Sequence, residues 1–524
     1  MLDRWFNYPA HYYLHFVGLL ILSFGLPLNK VVMSIGTIWL VSNLFLEFQF
    51  KTYFKNIVSN KITIVICCIF LIHLIGLLWT DNYSYAFSDI RIKLPFFLIP
   101  LTICAKPIKE NHKQIIIYIF CAVLLITSIV NVYHFNSNDH FTDGTDIRLI
   151  SLFGSHIRYG LLVIMGICIS LSQITRYQKK SWMWVLTTIW FFFYLIISQV
   201  LSSYIVLVIL FIGLPIYFIH TSRSKTFSVI NLIFITASAL LMLFILKFLF
   251  ITPEPRIIYN ELEKESALGN PYLHDTTLPI QENGSFIFTY IQEDELIFGW
   301  KQKSKISIDG LDNKGQNIKG TLIRYLTSKG LKKDLNGVNQ LDQDDIYNIE
   351  NGISSIRQIN SPFLARIDGL KYQIQYYKYS DNLSGHSLLQ RLEHWRAAML
   401  LIKENFIIGV GTGDIEDEFQ KTYEHMNSPL TKETRKRAHN QYLTFWISFG
   451  FIGFALIVLL SWFLISTSFK NKSFIAFCFS LILIASFIPE DTLETQQGVT
   501  FVGFFIAIFF TGKITNTIEI EKHP

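Results

Sequence analysis

Apolar runs about 20 residues long recur along this chain, and that recurrence limits the fold more than any motif does. A helical run of this length matches the hydrocarbon core of a bilayer. Inside a bilayer only helices or closed barrels satisfy every backbone N–H and C=O, and continuous rather than alternating apolar runs favour helices. Of 524 residues, 51% are hydrophobic and 16% charged, against about 25% charged in soluble domains. The expected fold is an all-α polytopic membrane protein with about twelve spans: 11–28, 31–48, 62–80, 91–105, 114–134, 157–174, 182–199, 202–219, 228–251, 440–466, 473–488 and 498–511. The runs 91–105 and 498–511 are the short ones. No small-residue cleavage site follows the first run, so it reads as a retained helix.

Lys and Arg in the short connections orient the chain. Arg4; Lys51, Lys55 and Lys61; Lys106, Lys109 and Lys113; Arg176, Lys179 and Lys180; Arg223 and Lys225; Lys470 and Lys472; and Lys513 all fall on one side. On the other side, 80–89 and 489–497 carry no positive charge, and 136–156 carries only Arg148. Both termini are therefore expected in the cytoplasm, and the long polar segment after the ninth span outside it. The resulting organisation is 1–251 (nine spans), 252–439 (one large external domain, mixed α/β or mainly α), 440–511 (three spans) and a cytoplasmic tail, 512–524. The net charge of +6 sits mostly in short loops and is no nucleic-acid signal. All six cysteines lie in predicted spans or at their edges, so the external domain is expected to fold without disulfides. No Cys/His metal spacing is present.

Within the polar segment, 285–297 reads as strand-like with a polar break, and 321–329 and 342–353 as short helices. The Tyr-rich stretch 362–379 is either helical or extended. The clearest amphipathic helix is 387–404, with Leu388, Leu392, Trp395, Met399 and Ile402 at three- and four-residue spacing. It would lie along the membrane surface, or form a core helix of the external domain with solvated arginines.

Alternation of span ends puts a set of charges on the outer face. Arg91 and Lys93 open the fourth span, and His156 and Arg158 the sixth. Arg391, Arg396 and His439 come from the polar segment, and Glu490, Asp491 and Glu494 from the last outer connection. Each alone fits snorkelling or headgroup contact. Together, the arginines suit a pyrophosphate carried on a lipid, because guanidinium binds phosphate oxygens bidentately and keeps its charge. A neighbouring His suits a general base near neutral pH. With no ATP outside the cytoplasm, a transferase there needs a donor with its own leaving group, such as a polyprenyl-pyrophosphate-linked glycan. Gly409-Val-Gly-Thr-Gly413 reads as a tight turn and not a nucleotide loop. His73 and Lys247 lie inside spans and read as a satisfied His and a snorkelling Lys. A lipid-linked glycan transporter, the alternative from another class, needs a polar pathway through the spans, and these two residues alone do not make one.

Four stretches resemble the O-antigen ligase and polymerase superfamily of bacterial glycan-transfer proteins. They are Arg391 with Trp395 four residues on, leading through a helix to Gly409–Gly413; His439-Asn-Gln-Tyr-Leu443 followed by Gly450-Phe-Ile-Gly453; Ser155-His-Ile-Arg158-Tyr-Gly160; and Glu494-Thr-Gln-Gln-Gly498. The specific part is 385–511; the first half matches mainly in topology. The resemblance implies transfer of a glycan, without metal or cofactor, from undecaprenyl pyrophosphate to lipid A core or another glycolipid acceptor. It implies lipopolysaccharide assembly in a bacterial inner membrane, with the large loop periplasmic. His439 would activate the acceptor hydroxyl, Arg391 and Arg158 would hold the donor pyrophosphate, and Arg396 is a weaker candidate. His156, Trp395, Asn440, Glu490 and Glu494 would support them. Many members carry Ser-Arg where this chain has Ser202-Ser203-Tyr204, so one donor-binding arginine is either missing or supplied by Arg91 or Lys93. The stretch 322–352 enlarges the loop. A ligase reading is preferred over repeat-unit polymerisation, which differs only in acceptor.

Overall fold

The computed structural model of the protein describes residues 8–137, 147–176, 181–221, 236, 261–377 and 387–511. The expected ninth span, 228–251, with its Lys247, and the tail 512–524 lie outside them. The fold is an all-α polytopic membrane protein. Among the described residues, seven helices are long and apolar enough to cross a bilayer, and three shorter apolar helices accompany them.

The first half contains α1 (Tyr8–Gly25), α2 (Lys30–Glu47), α3 (Phe50–Ser59), α4 (Lys61–Ile75), α5 (Tyr83–Ala105), α6 (Glu110–Ser137), α7 (His156–Arg176), α8 (Ser181–Ser198) and α9 (Leu201–Thr221). Two differ from expectation. The basic connection 49–61 contains a helix, α3, because Tyr53 and Ile57 pack against the bundle while Lys51 and Lys55 stay exposed. Helix α5 starts eight residues before the expected span. Its charged first turns hide it from hydropathy, but Asp89 and Lys93 are buried there as an i,i+4 ion pair at 2.8 Å.

Residues 261–377 form a mainly helical module with its own core of Trp300, Leu322, Tyr325, Leu326 and Ile349. A two-residue antiparallel hairpin, β1 (Gln281–Glu282) and β2 (Ser285–Phe286), turns at Asn283-Gly284, both at positive φ, as a tight two-residue turn requires. The helices are α10 (Glu293–Lys303), α11 (Ile318–Ser328), α12 (Leu335–Asn339), α13 (Gln343–Glu350), α14 (Arg357–Asn360) and α15 (Pro362–Tyr377). The strand-like reading of 285–297 holds only for its first two residues. Gln292 caps the helix α10 by accepting from Glu295 N at 2.7 Å, and Glu293, Asp294 and Glu295 suit the positive end of the helix dipole.

The remaining helices are α16 (Ser387–Glu404), α17 (Ile415–His425), α18 (Gln441–Lys470), α19 (Phe474–Ser486) and α20 (Gln496–Ile506), which runs on into a π turn, Ala507–Thr511. Helix α16 is a core helix. Leu389, Ala397, Ala398, Leu401 and Ile402 are buried against α17 and α18, whereas Leu392 and Met399 of the expected stripe are exposed. Helix α20 is short because protein surrounds it: from Gln497 to Ile506 every residue is buried.

The stretch Gly409–Gly413 does more than turn the chain. It lies against a break in α18, where Phe449 and Gly450 leave helical geometry. Val410 N donates to Ile447 O at 2.8 Å, Gly411 N to Ser448 O at 2.9 Å, and Phe451 N to Phe406 O at 2.8 Å. The broken helix thus recovers hydrogen bonds that lipid could not supply. Gly450 has φ +61°, and a Cβ there would lie 2.1 Å from Ile407 O. Gly450→Ala is expected to cost more than about 2 kcal/mol, read as a lower unfolding temperature in detergent. Gly369→Ala, inside α15 where an added Cβ meets nothing within 4 Å among the described residues, is the control expected to cause no loss.

Candidate active site

The connection between α19 and α20 is the floor of a charged cluster to which four other elements contribute. The first turn of α18 holds it in place. Gln441 N donates to Phe487 O at 2.8 Å, Leu493 N donates to Gln441 Oε1 at 2.7 Å, and Gln441 Nε2 donates to Glu494 Oε1 at 3.0 Å. Thr444 Oγ1 donates to Asp491 Oδ1 at 3.2 Å. Asn440 caps α18 by accepting from Leu443 N at 3.1 Å, and Thr495 caps α20.

Two arginines from elements more than 200 residues apart grip this floor from either side. Arg158, on the first turn of α7, donates through Nη2 to Asp491 O at 2.8 Å and through Nε to Thr495 Oγ1 at 3.3 Å, and its Nη1 lies 3.5 Å from Glu490 Oε2. Arg391, on α16, donates through Nη1 to Pro489 O at 2.6 Å and through Nη2 to Glu490 Oε1 at 2.8 Å. The Glu490 carboxylate therefore bridges the two guanidinium groups. Arg158 is 8% exposed and Arg391 32%, so Arg391 is the one a ligand meets first. Each guanidinium has five N–H donors and keeps at least two beyond these contacts.

His439 stands beside this pair. Its backbone is left-handed, φ +48°, a conformation His adopts more readily than most residues. It immediately precedes the cap of α18, and its Nδ1 lies 3.8 Å from Asp491 Oδ2. Burial lowers the imidazole pKa below its ordinary value. Asp491 and Glu490 oppose that shift, while Arg391 and Arg437 add to it. Burial raises the Asp491 carboxyl, against the pull of Arg437 and His439. His439 is consequently neutral near pH 7, with a carboxylate placed to steady the imidazolium it becomes on taking a proton. Trp395 ties α16 to the same segment, its Nε1 donating to Ala438 O at 2.9 Å.

Several residues beyond those named from sequence complete the cluster. Arg437 lies 3.3 Å from Glu494 Oε2 and donates to Tyr85 OH at 2.9 Å. Lys93 reaches the same Glu494 oxygen and Asp89 Oδ1, each at 2.8 Å. Burial would raise the Glu494 carboxyl, but Lys93 and Arg437 override it and hold the group well below the carboxylate range. His73 Nδ1 lies 2.7 Å from Ile69 O, and its Nε2 is 3.9 Å from Asp89 Oδ2. A cavity of about 10 Å³ lies between His73, Asp89, Arg437 and Glu494, room for about one water. His394 is buried beside His439, with ring centroids 5.8 Å apart. Its Nε2 donates to Thr434 O at 3.0 Å, and its Nδ1 has no partner among the described residues.

The cluster carries Asp89, Glu490, Asp491 and Glu494 against Lys93, Arg158, Arg391 and Arg437. The excess of cations expected from sequence is therefore matched by acids, which is what lets so many charges be buried. Of the residues picked from sequence, the structure brings together Arg158, Arg391, His439, Glu490, Glu494, Lys93, Trp395 and Asn440. His156 is half-buried at the start of α7. It does not gather the other two: Arg91 is exposed, and Arg396 is 64% exposed and turned to Glu393 at 3.6 Å. Lys93, proposed as a stand-in donor contact, is fully engaged with two carboxylates.

Asp491→Asn is expected to slow any reaction based on His439 by about 10- to 100-fold, the usual effect of removing a residue that orients a functional imidazole. It also removes the strongest influence raising the His439 pKa. The acid limb of a pH–rate profile, already below the ordinary imidazole value, then moves to still lower pH.

Residues 345–458 match the family model described as O-antigen ligase. The matched stretch runs from α13 through the break in α18 and includes Arg391, His394, Arg437 and His439; Arg158 and the acids of the α19–α20 connection fall outside it. No curated protein matches the chain.

Proposed function

We propose that this chain, a glycan-transfer protein of the O-antigen ligase superfamily, moves a glycan from undecaprenyl pyrophosphate to a glycolipid acceptor such as lipid A core. The transfer is metal-independent and takes place at the periplasmic face of a bacterial inner membrane. The observation that carries the reading is the convergence of Arg158 and Arg391 on one carboxylate beside His439. A carboxylate shared by two guanidinium forks marks a place where phosphate oxygens also fit. The acceptor hydroxyl oxygen forms a bond to the anomeric carbon as the bond from that carbon to the pyrophosphate oxygen breaks. His439 takes the hydroxyl proton, and undecaprenyl pyrophosphate leaves with the electron pair, its charge stabilised by Arg391 and, behind it, Arg158. Glu490 is the resident counter-ion that exchanges these contacts with the donor. The loop charges support this orientation, because Arg158, His439 and Glu490 all lie at span ends facing the sparsely charged side.

Repeat-unit polymerisation uses the same donor, leaving group and base, and differs in the acceptor. Deleting the gene and analysing the glycolipids decides between them. A ligase deletion leaves full-length polymer on the carrier lipid and bare lipid A core. Single repeat units accumulating on the carrier overturn the ligase assignment in favour of polymerisation.

A further inference from the structure

A second site lies at the other end of the bundle, walled by α3. Helix α20 and its π turn run from Thr495, in the charged cluster, to Phe510, whose carbonyl accepts from Asn60 Nδ2 at 3.0 Å between α3 and α4. Those 15 residues place α3 about 22 Å from the cluster. Around α3 the side chains divide three ways. Tyr53 and Ile57 face the bundle; Phe50, Phe54 and Val58, at four-residue spacing, are exposed; Lys51 and Lys55, one position further round, are also exposed. An apolar stripe beside a lysine stripe is the pattern of a helix lying at a bilayer interface.

Between α2, α3 and α5 opens a cavity of about 460 Å³, within the size range of small-molecule sites. Its wall includes Val41, Phe45, Phe54, Ile57, Phe97 and Leu101. The two hydroxyls in the wall are already used: Thr102 donates to Ile99 O at 2.8 Å and Tyr53 to Glu47 Oε2 at 2.5 Å. Such a cavity takes hydrocarbon. The charges beside it select the headgroup. Lys106 is held by Glu47 at 2.5 Å, whereas Lys51 and Lys55 make no ion pair among the described residues.

We propose that this cavity holds an acyl chain of one anionic phospholipid whose phosphate lies against Lys51 and Lys55. A zwitterionic lipid leaves the lysines unmatched, and a polyprenyl donor needs its pyrophosphate at the opposite end of the bundle. The site is independent of the glycan-transfer reading. The test is native mass spectrometry of the full-length protein in detergent, titrated with phosphatidylglycerol or phosphatidylcholine of identical chains. The expected result is one phosphatidylglycerol retained about 30-fold more tightly, the factor two interfacial lysines supply. Lys51→Gln with Lys55→Gln, both at exposed positions, brings that ratio to about one. Leu101→Trp, which narrows the cavity from its wall, weakens retention of both lipids alike. Equal retention of the two lipids by the unaltered protein, or a phosphatidylglycerol preference that survives the double lysine change, overturns the proposal.

Discussion

Replacing His439 by alanine is expected to leave the protein inserted and folded while cutting glycan transfer by about 10²- to 10⁴-fold, the usual contribution of a positioned general base. The two halves of this expectation have separate grounds. The imidazole is 38% exposed and contacts Asp491 at 3.8 Å, without a close hydrogen bond. The start of α18 is held instead by the Asn440 cap and the Gln441 bridges, so removing the ring leaves that scaffold in place. The imidazole is nonetheless the titratable group beside the arginine pair whose lowered pKa keeps it neutral and able to take a proton. Membrane insertion and unfolding temperature check the first half, and glycolipid formation the second. Unchanged transfer in the alanine variant would remove His439 as the base.

Arg391→Lys is expected to lose about 10²- to 10³-fold in transfer, the magnitude seen when one pre-positioned donor to a developing anion is removed. The guanidinium of Arg391 uses two nitrogens at once, one on Pro489 O and one on Glu490. An ammonium has a single nitrogen and cannot reproduce the fork. The charge is retained, so a defect reports geometry rather than electrostatic attraction. Arg158→Lys is a poorer probe. Arg158 is nearly buried and spans Asp491 O and Thr495, so the change also loosens the connection on which the site is built. Near-normal donor use by Arg391→Lys would reject the clamp.

Hydropathy exposes most of the helices because lipid selects for it, and it fails where protein replaces lipid or charge is paired. Helix α5 is underread at its start because Asp89 and Lys93 neutralise each other out of sight of any window average. The break at Gly450 is invisible because its hydrogen bonds are restored by a segment about 40 residues earlier. The buried face of α16 is only partly legible: Trp395 and Ile402 of the expected stripe pack against α17 and α18 while Leu392 and Met399 do not, because spacing does not say which stripe meets them. Within the site, Arg158, Arg391, His439, Glu490 and Glu494 were legible as charges at span ends. Arg437 and His394 were not, since their partners Glu494 and Thr434 lie far along the chain, and Asp89 was not, since its pairing with Lys93 is hidden inside a span. Arg396 illustrates the reverse case: five residues after Arg391 on one helix, it points well round from it and reaches solvent.

The central claim is that Arg391, Arg158 and His439 form one site that transfers glycan off a lipid pyrophosphate. The most direct measurement incubates the purified full-length protein, in the presence of a chelator, with an undecaprenyl-pyrophosphate-linked glycan and lipid A core. It follows both free undecaprenyl pyrophosphate and the glycosylated acceptor. The account predicts the two products in equal amounts from the unaltered protein and neither above background from His439→Ala. Glycosylated acceptor formed equally well by the His439→Ala protein, or carrier pyrophosphate released without a matching glycosylated acceptor, would contradict it.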